Sequence, residues 1–154
     1  MRRYGPNFFK VIKHPPQIAY ALGLGFLIGR FVLLLTSTGR KTGRPHTIPL
    51  QYEAIQGQFC IASVKGLQAD WVRNIQANPM VELRVKHQHI PGQAEVIVAV
   101  DQIADFIAYR IAKHPLMIKT IMRLDGLPMA MTRQELEEYA RGLALVRVDP
   151  RRSL

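Results

Sequence analysis

The chain has 154 residues, 48% of them hydrophobic, a formal charge of +10 and a pI near 10.3. That is too apolar for a disordered basic tail, and a chain of this length buries about 68–70% of its unfolded surface, so one domain spanning 1–154 is expected. The single Cys60 excludes an internal disulfide and a cysteine-rich metal cluster, which makes a reducing cytoplasm the default location.

The N-terminal stretch MRRYGPNFFKVIKHPPQIAYALGLGFLIGR places Arg2, Arg3, Lys10 and Lys13 ahead of the apolar run Ile18 to Gly29. Arg30 closes that run and no small-residue cleavage pattern follows it, so it does not read as a signal sequence. It is also well short of the ~20 residues a spanning helix needs. Residues 1–29 therefore read as a helical segment, either packed on the rest of the domain or lying at an anionic lipid surface through residues 1–14. The second alternative adds peripheral membrane contact to a cytoplasmic location. Basic and aromatic residues interleave only in Met1 to Lys13, so no nucleic-acid partner is expected.

From Phe31 the pattern changes to strands. FVLLL runs into TSTGRKTGRP, which holds Arg40, Lys41 and Arg44 between and beside two glycines, and HTIPLQYE reads as the returning strand. Like charges this close repel, so the tip is either simply solvated or shaped for an anion. QFCIASVK, Gln58 to Lys65, is a further strand, and LQADWVRNIQANP is a helix that stops at Asn78-Pro79. MVELRVKHQ alternates as a strand with one wet face, and Pro91-Gly92 is read as the turn to QAEVIVAV. Asp101 is a natural N-cap for a helix running to the residue before Pro115, and Thr132 with Glu135 forms a capping box for a helix closing at Gly142. LALVRV is the last strand. Six strands joined mainly by hairpins, with helices at the flanks, predict an α+β fold that is mainly β: a six-stranded antiparallel split barrel.

Catalytic motifs are sparse. No phosphate-binding GxxxxGK[ST] and no GxGxxG follows a strand, and the histidines form no HExxH. His87 and His89 lack a third ligand, so no metal site is expected. Cys60 reads as a buried, inert thiol in mid-strand. Ser37, Ser63 and Asp70 do not form the elbow of a nucleophilic triad, and no catalytic side chain is assigned.

LLLTSTGRKTGRPHTIPLQYE, followed by CIASVKG and DWVRNIQANPMVELRV, resembles the deazaflavin-dependent nitroreductase family, split-barrel proteins that use coenzyme F420. The likeness spans Leu33 to Val85. It implies that the basic hairpin clamps the phosphate of the cofactor tail, with Arg40, Lys41 and Thr42 in the motif. His46 stands where an arginine is common, which makes capture weaker or pH-dependent. It also implies that Pro49, Leu50 and Gln51 lie along the deazaflavin ring. Ser63 or Lys65 falls near the ring's polar edge, although SVKG is spaced differently from the usual SKGG. Trp71 and Asn74 would open the helix that closes the pocket, while plain core packing is the alternative for Trp71.

The implied activity is hydride transfer from reduced F420 to a small hydrophobic acceptor: a quinone, an enone or a nitro compound. Where some relatives present tyrosines, KHPLMIKTIMRLDGLPMAM offers His114, Met117, Met122, Met129 and Met131, suited either to a greasy acceptor or to a methionine-lined core. FMN in the same barrel, or a cofactor-binding carrier without turnover, are the alternatives. Barrels of this superfamily are often homodimers.

Overall fold

The structure is a computed structural model, and the described residues are 32–115 and 131–151. The N-terminal segment and Met117, Met122 and Met129 lie outside them. β1 (Val32–Thr38) and β2 (Pro45–Gln51) form the basic hairpin, paired from Val32↔Gln51 to Thr38↔Pro45. β3 (Glu53–Ile55) and β4 (Gln58–Ser63) follow as a second hairpin. A short 3-10 helix (Gly66–Gln68) leads into α1 (Asp70–Ala77). Then come β5 (Met80–Val85), β6 (Gln88–Ile97), α2 (Val100–Lys113), α3 (Arg133–Ala140) and β7 (Ala144–Pro150).

All pairings are antiparallel, and the sheet order is β2-β1-β5-β6-β7-β4-β3. β2 and β3 sit at opposite ends of that order yet are joined through Tyr52 alone. The sheet must therefore curl until its first and last strands approach each other, which is the split barrel. Alternation along each strand then fills two cores. Leu33, Leu35, Ile61, Leu83, Val146 and Val148 point inward against Val72 and Ile75 of α1. Cys60, Ile97 and Leu145, on the other face, pack against Ile103, Phe106 and Ile107 of α2 and Leu136 and Ala140 of α3. Each fully buried aliphatic side chain stabilises the fold by about 1.5–3 kcal/mol.

The sheet has seven strands rather than the predicted six, because HTIPLQYE breaks at Tyr52 and its tail starts β3. The turn expected at Pro91-Gly92 lies instead at Lys86–His87, where Lys86 adopts φ +57°. β6 runs straight through Pro91, whose carbonyl accepts from the Arg151 N–H at 2.8 Å, so the strand continues despite the missing donor. Asp101 is not the N-cap of α2. That position is Ala99, with no side-chain cap, and Asp101 lies in the first turn, where its charge meets the positive end of the helix. The Thr132 capping box forms, its hydroxyl accepting from the Glu135 N–H at 3.2 Å. That helix ends at Ala140, two residues before Gly142. Among the described residues no helix is long and apolar enough to cross a membrane.

Candidate functional site

The tip of the β1–β2 hairpin is closed by the Gly39 N–H donating to the Arg44 carbonyl and the Gly43 N–H to the Gly39 carbonyl, both at 2.8 Å. His46 folds its ring over Gly39 so closely that a Cβ there would stand 2.7 Å from the imidazole Nε2. A side chain at position 39 would therefore push the exposed His46 ring aside. Arg40 turns away from solvent. Its backbone N–H and its Nη1 both donate to Asn74 Oδ1, at 3.2 and 2.9 Å, and its Nη2 pairs with Asp70 Oδ1 at 3.1 Å. Asn74, 5% exposed, donates in turn from Nδ2 to the Ser37 hydroxyl at 3.5 Å. These bonds fasten the hairpin to the first turn and middle of α1. The hydrogen bond and charge of Arg40 hold the Asp70 carboxyl below its usual range.

Lys41, Thr42 and Arg44 remain exposed beside this latch, and neither Lys41 nor Arg44 makes an ion pair among the described residues. Two like charges are held at a fixed tip, and Asp70, which feels the Lys41 charge, is ion-paired to Arg40 instead. An anion placed there gains charge-assisted bonds without first breaking others.

β2 is an edge strand, and its sequence shows which side is open. Pro45 and Pro49, which have no N–H, share the same parity. A proline in a sheet turns its donor-less nitrogen away from the ladder, so Ile48 and Leu50 serve β1. The backbone groups of Thr47 and Gln51, and the Pro49 carbonyl, then face the free edge. Leu50 packs partly into the inner core and Pro49 is buried.

The remaining candidates are placed differently. Ser63 is buried, and its hydroxyl donates to the Gly66 carbonyl at 2.9 Å, so it shapes the Lys65-Gly66 turn. Gly66 holds φ +59° with the Gly142 carbonyl 2.7 Å from where a Cβ would sit. Lys65 is exposed at that turn. Trp71 belongs to the inner core, as the packing alternative predicts. Cys60 is buried, and desolvation pushes its thiol up despite the nearby Arg147 guanidinium.

A second polar cluster joins the end of β2 to α2. Glu53, whose side chain is 5% exposed, meets Arg110 Nε at 3.3 Å, His114 Nε2 at 3.0 Å and Lys113 Nζ at 3.7 Å. Arg110 Nη2 also donates to Gln51 Oε1 at 2.9 Å. Burial works against the charge of the Arg110 guanidinium and lowers its pKa, while Glu53 opposes the shift. Sequence reasoning misses Asp70, Glu53 and Arg110. QYEAI alone gives no signal for Glu53, because a strand residue next to Tyr52 points to the opposite face, and only Arg110, Lys113 and His114 arriving from the α2 region bury it there.

The structure thus joins Arg40, Asn74 and Asp70 directly, sets Lys41, Thr42 and His46 at the same tip, and links Gln51 to Arg110 rather than to the hairpin. Fold and site define a split-barrel protein with a fixed cationic hairpin beside an open strand edge. The model of the F420H(2)-dependent quinone reductase family matches residues 21–130, and the chain belongs to that family. It is an F420H2-dependent oxidoreductase, and its cofactor is coenzyme F420. Among solved structures it is similar in fold to a conserved hypothetical protein of Mycobacterium tuberculosis, at 14% identity and TM-score 0.57, covering 85% of this chain and 80% of that one. An F420-H2 dependent reductase, FDR-A, matches at 19% identity and TM-score 0.52 over 78% of this chain and 95% of its own. The heme storage protein HutZ of Vibrio cholerae matches at 15% and 0.54, over 92% and 93%.

Proposed function

We propose that this protein reduces a small hydrophobic acceptor, a quinone first and an enone or nitro compound by the same chemistry. In this reading the phosphate of the coenzyme tail is held at the β1–β2 tip and its ring lies along β2. The observation that carries it is the pair of exposed, unpaired cations Lys41 and Arg44 on a hairpin immobilised by Arg40 and Asn74. That donor set suits an anionic tail. Reduced F420 supplies a hydride.

The chain's own residues bind and orient. Lys41, Arg44 and the Thr42 hydroxyl take the phosphate, with the His46 ring beside them over Gly39. Arg40 and Asn74 keep those groups from swinging away. Pro49, Leu50 and Gln51 give the ring a flat edge with polar groups along its open side. Lys65 stands on the turn before α1 as a further donor, while Ser63 and Trp71 support the wall behind it. The chain functions as one domain in the cytoplasm, with residues 1–14 as an optional membrane contact outside the described residues. A homodimer accords with a matched structure described as a domain-swapped dimer, at 19% identity.

Titration of the purified protein with F420, FMN and haem, followed by fluorescence and absorbance, tests the reading. Tight binding of F420 with turnover of menadione supports it. Preference for FMN, or F420 binding without reduction of any quinone, enone or nitro compound, overturns it in favour of an FMN enzyme or a carrier.

A further inference from the structure

We propose that Arg110, itself fixed by Glu53, is a positioning residue that turns the Gln51 carboxamide so that its NH2 group, and not its oxygen, is offered to the bound coenzyme ring. This rests on the reading above, in which the ring lies along β2. A guanidinium has donors only, so the atom of Gln51 at 2.9 Å from Arg110 Nη2 must be the amide oxygen. The NH2 group therefore points the other way. No described residue accepts from it.

Arg110 has little freedom to release that oxygen. Its Nε is held by Glu53 at 3.3 Å, its Cζ lies 6.0 Å from the Phe106 ring centroid, and its side chain is 13% exposed. Glu53 is fixed in turn by His114 and Lys113. An untethered carboxamide would sample both orientations and offer an oxygen half of the time. Held by Arg110 it offers two donors at one point of the open edge: its side-chain NH2 and, by the parity of Pro45 and Pro49, its backbone N–H. Paired donors fit a ligand edge made of acceptors, such as the carbonyl-bearing pyrimidine end of a deazaflavin, and disfavour an edge rich in N–H groups.

Gln51→Glu separates this role from a merely structural one. It keeps the side-chain size and gives Arg110 a better acceptor, so the thermal midpoint should hold, yet it replaces the NH2 with an oxygen. F420 affinity, read by fluorescence titration, should fall roughly 10-fold, the usual worth of one hydrogen bond plus a mismatched acceptor. Arg110→Met should cost several-fold in the parent and nothing further in a Gln51→Met background. Should Arg110→Met unfold the protein, Gln51→Glu alone decides. F420 binding by Gln51→Glu equal to the parent, or equal losses from Arg110→Met in both backgrounds, overturns the proposal. Lys41→Ala serves as the control: a parent that ignores F420, or whose F420 affinity is indifferent to Lys41→Ala, sinks the binding mode itself and not this orientation.

Discussion

Asn74→Ala removes the one acceptor that Arg40 reaches twice. The backbone N–H of Arg40 loses its partner at 3.2 Å and its Nη1 loses a bond of 2.9 Å, while Nη2 keeps Asp70. A neutral hydrogen bond is worth about 0.5–1.5 kcal/mol and one from a charged donor about 1.5–3, so the two together predict a loss of about 2–4 kcal/mol. At about 2–4 °C per kcal/mol for a chain of this size, the melting midpoint should fall by about 4–16 °C. Urea denaturation gives the free energy directly, and the slope should stay unchanged because the same surface unfolds. The substitution also unpins the tip, so the cost of Lys41→Ala for F420 binding should shrink in the Asn74→Ala background. A change under about 0.5 kcal/mol would mean that the latch is a solvated surface contact, and the argument for a preorganised tip would fail with it.

Lys41→Ala should weaken F420 binding by about 10- to 150-fold, from the loss of one charge-assisted bond, with little change in melting because no core residue depends on an exposed loop lysine; fluorescence titration beside a thermal melt checks both. His46→Arg should tighten F420 binding several-fold by adding a permanent charge to the tip, and fluorescence titration of the variant beside the parent checks it. Gly66→Ala should destabilise by more than 1 kcal/mol, because φ +59° and the Gly142 carbonyl 2.7 Å from the new Cβ both oppose it; a variant as stable as the parent in urea would refute that. The Asp70 carboxyl is depressed by Arg40, so its contribution exists above the ordinary aspartate pKa of 3.8 and is lost as pH falls through its folded value. Asp70→Asn should therefore cost stability at pH 7, and that cost should shrink as the pH is lowered below the ordinary aspartate range, as read from urea midpoints.

Much of this was legible from spacing. The strand alternation of Val81, Leu83 and Val85, the helix stop at Asn78-Pro79 and the Thr132–Glu135 box all recur in the structure, because each is decided by local geometry. Pro91-Gly92 was misleading for a related reason. A turn dipeptide is a local preference, and pairing of Pro91 and Gly92 with β5 and β7 outweighed it, leaving Lys86 to take the strained turn position. The charges of the hairpin could not be sorted from sequence at all. Arg40, Lys41 and Arg44 look alike there, and only α1, whose Asp70 and Asn74 lie 30 and 34 positions further along the chain, supplies the partners that consume Arg40.

The open edge of β2, by contrast, was written in the sequence. Two prolines four residues apart in a strand fall on one side, since side chains and backbone groups repeat every two residues. A central strand would lose two ladder bonds to them, so Pro45 and Pro49 already require an edge with its donor-less nitrogens outward. An edge left bare is a hazard for pairing with other chains, and proteins either blunt it or use it. Here the strand carries a buried Pro49, a half-buried Leu50 and a carboxamide steered by Arg110, and it starts at a hairpin whose free cations sit at one end of that edge. Prolines at Pro45 and Pro49 keep a foreign strand from zipping onto β2, yet leave carbonyls and the Thr47 and Gln51 donors for a flat ligand. The same substitution pattern that protects the edge from aggregation therefore leaves it usable for a cofactor, and Pro49→Ala should expose both effects: a new N–H on the free edge, altered F420 affinity and a greater tendency to self-associate, measured by titration and by light scattering. Unchanged affinity and unchanged scattering would remove Pro49 from both roles.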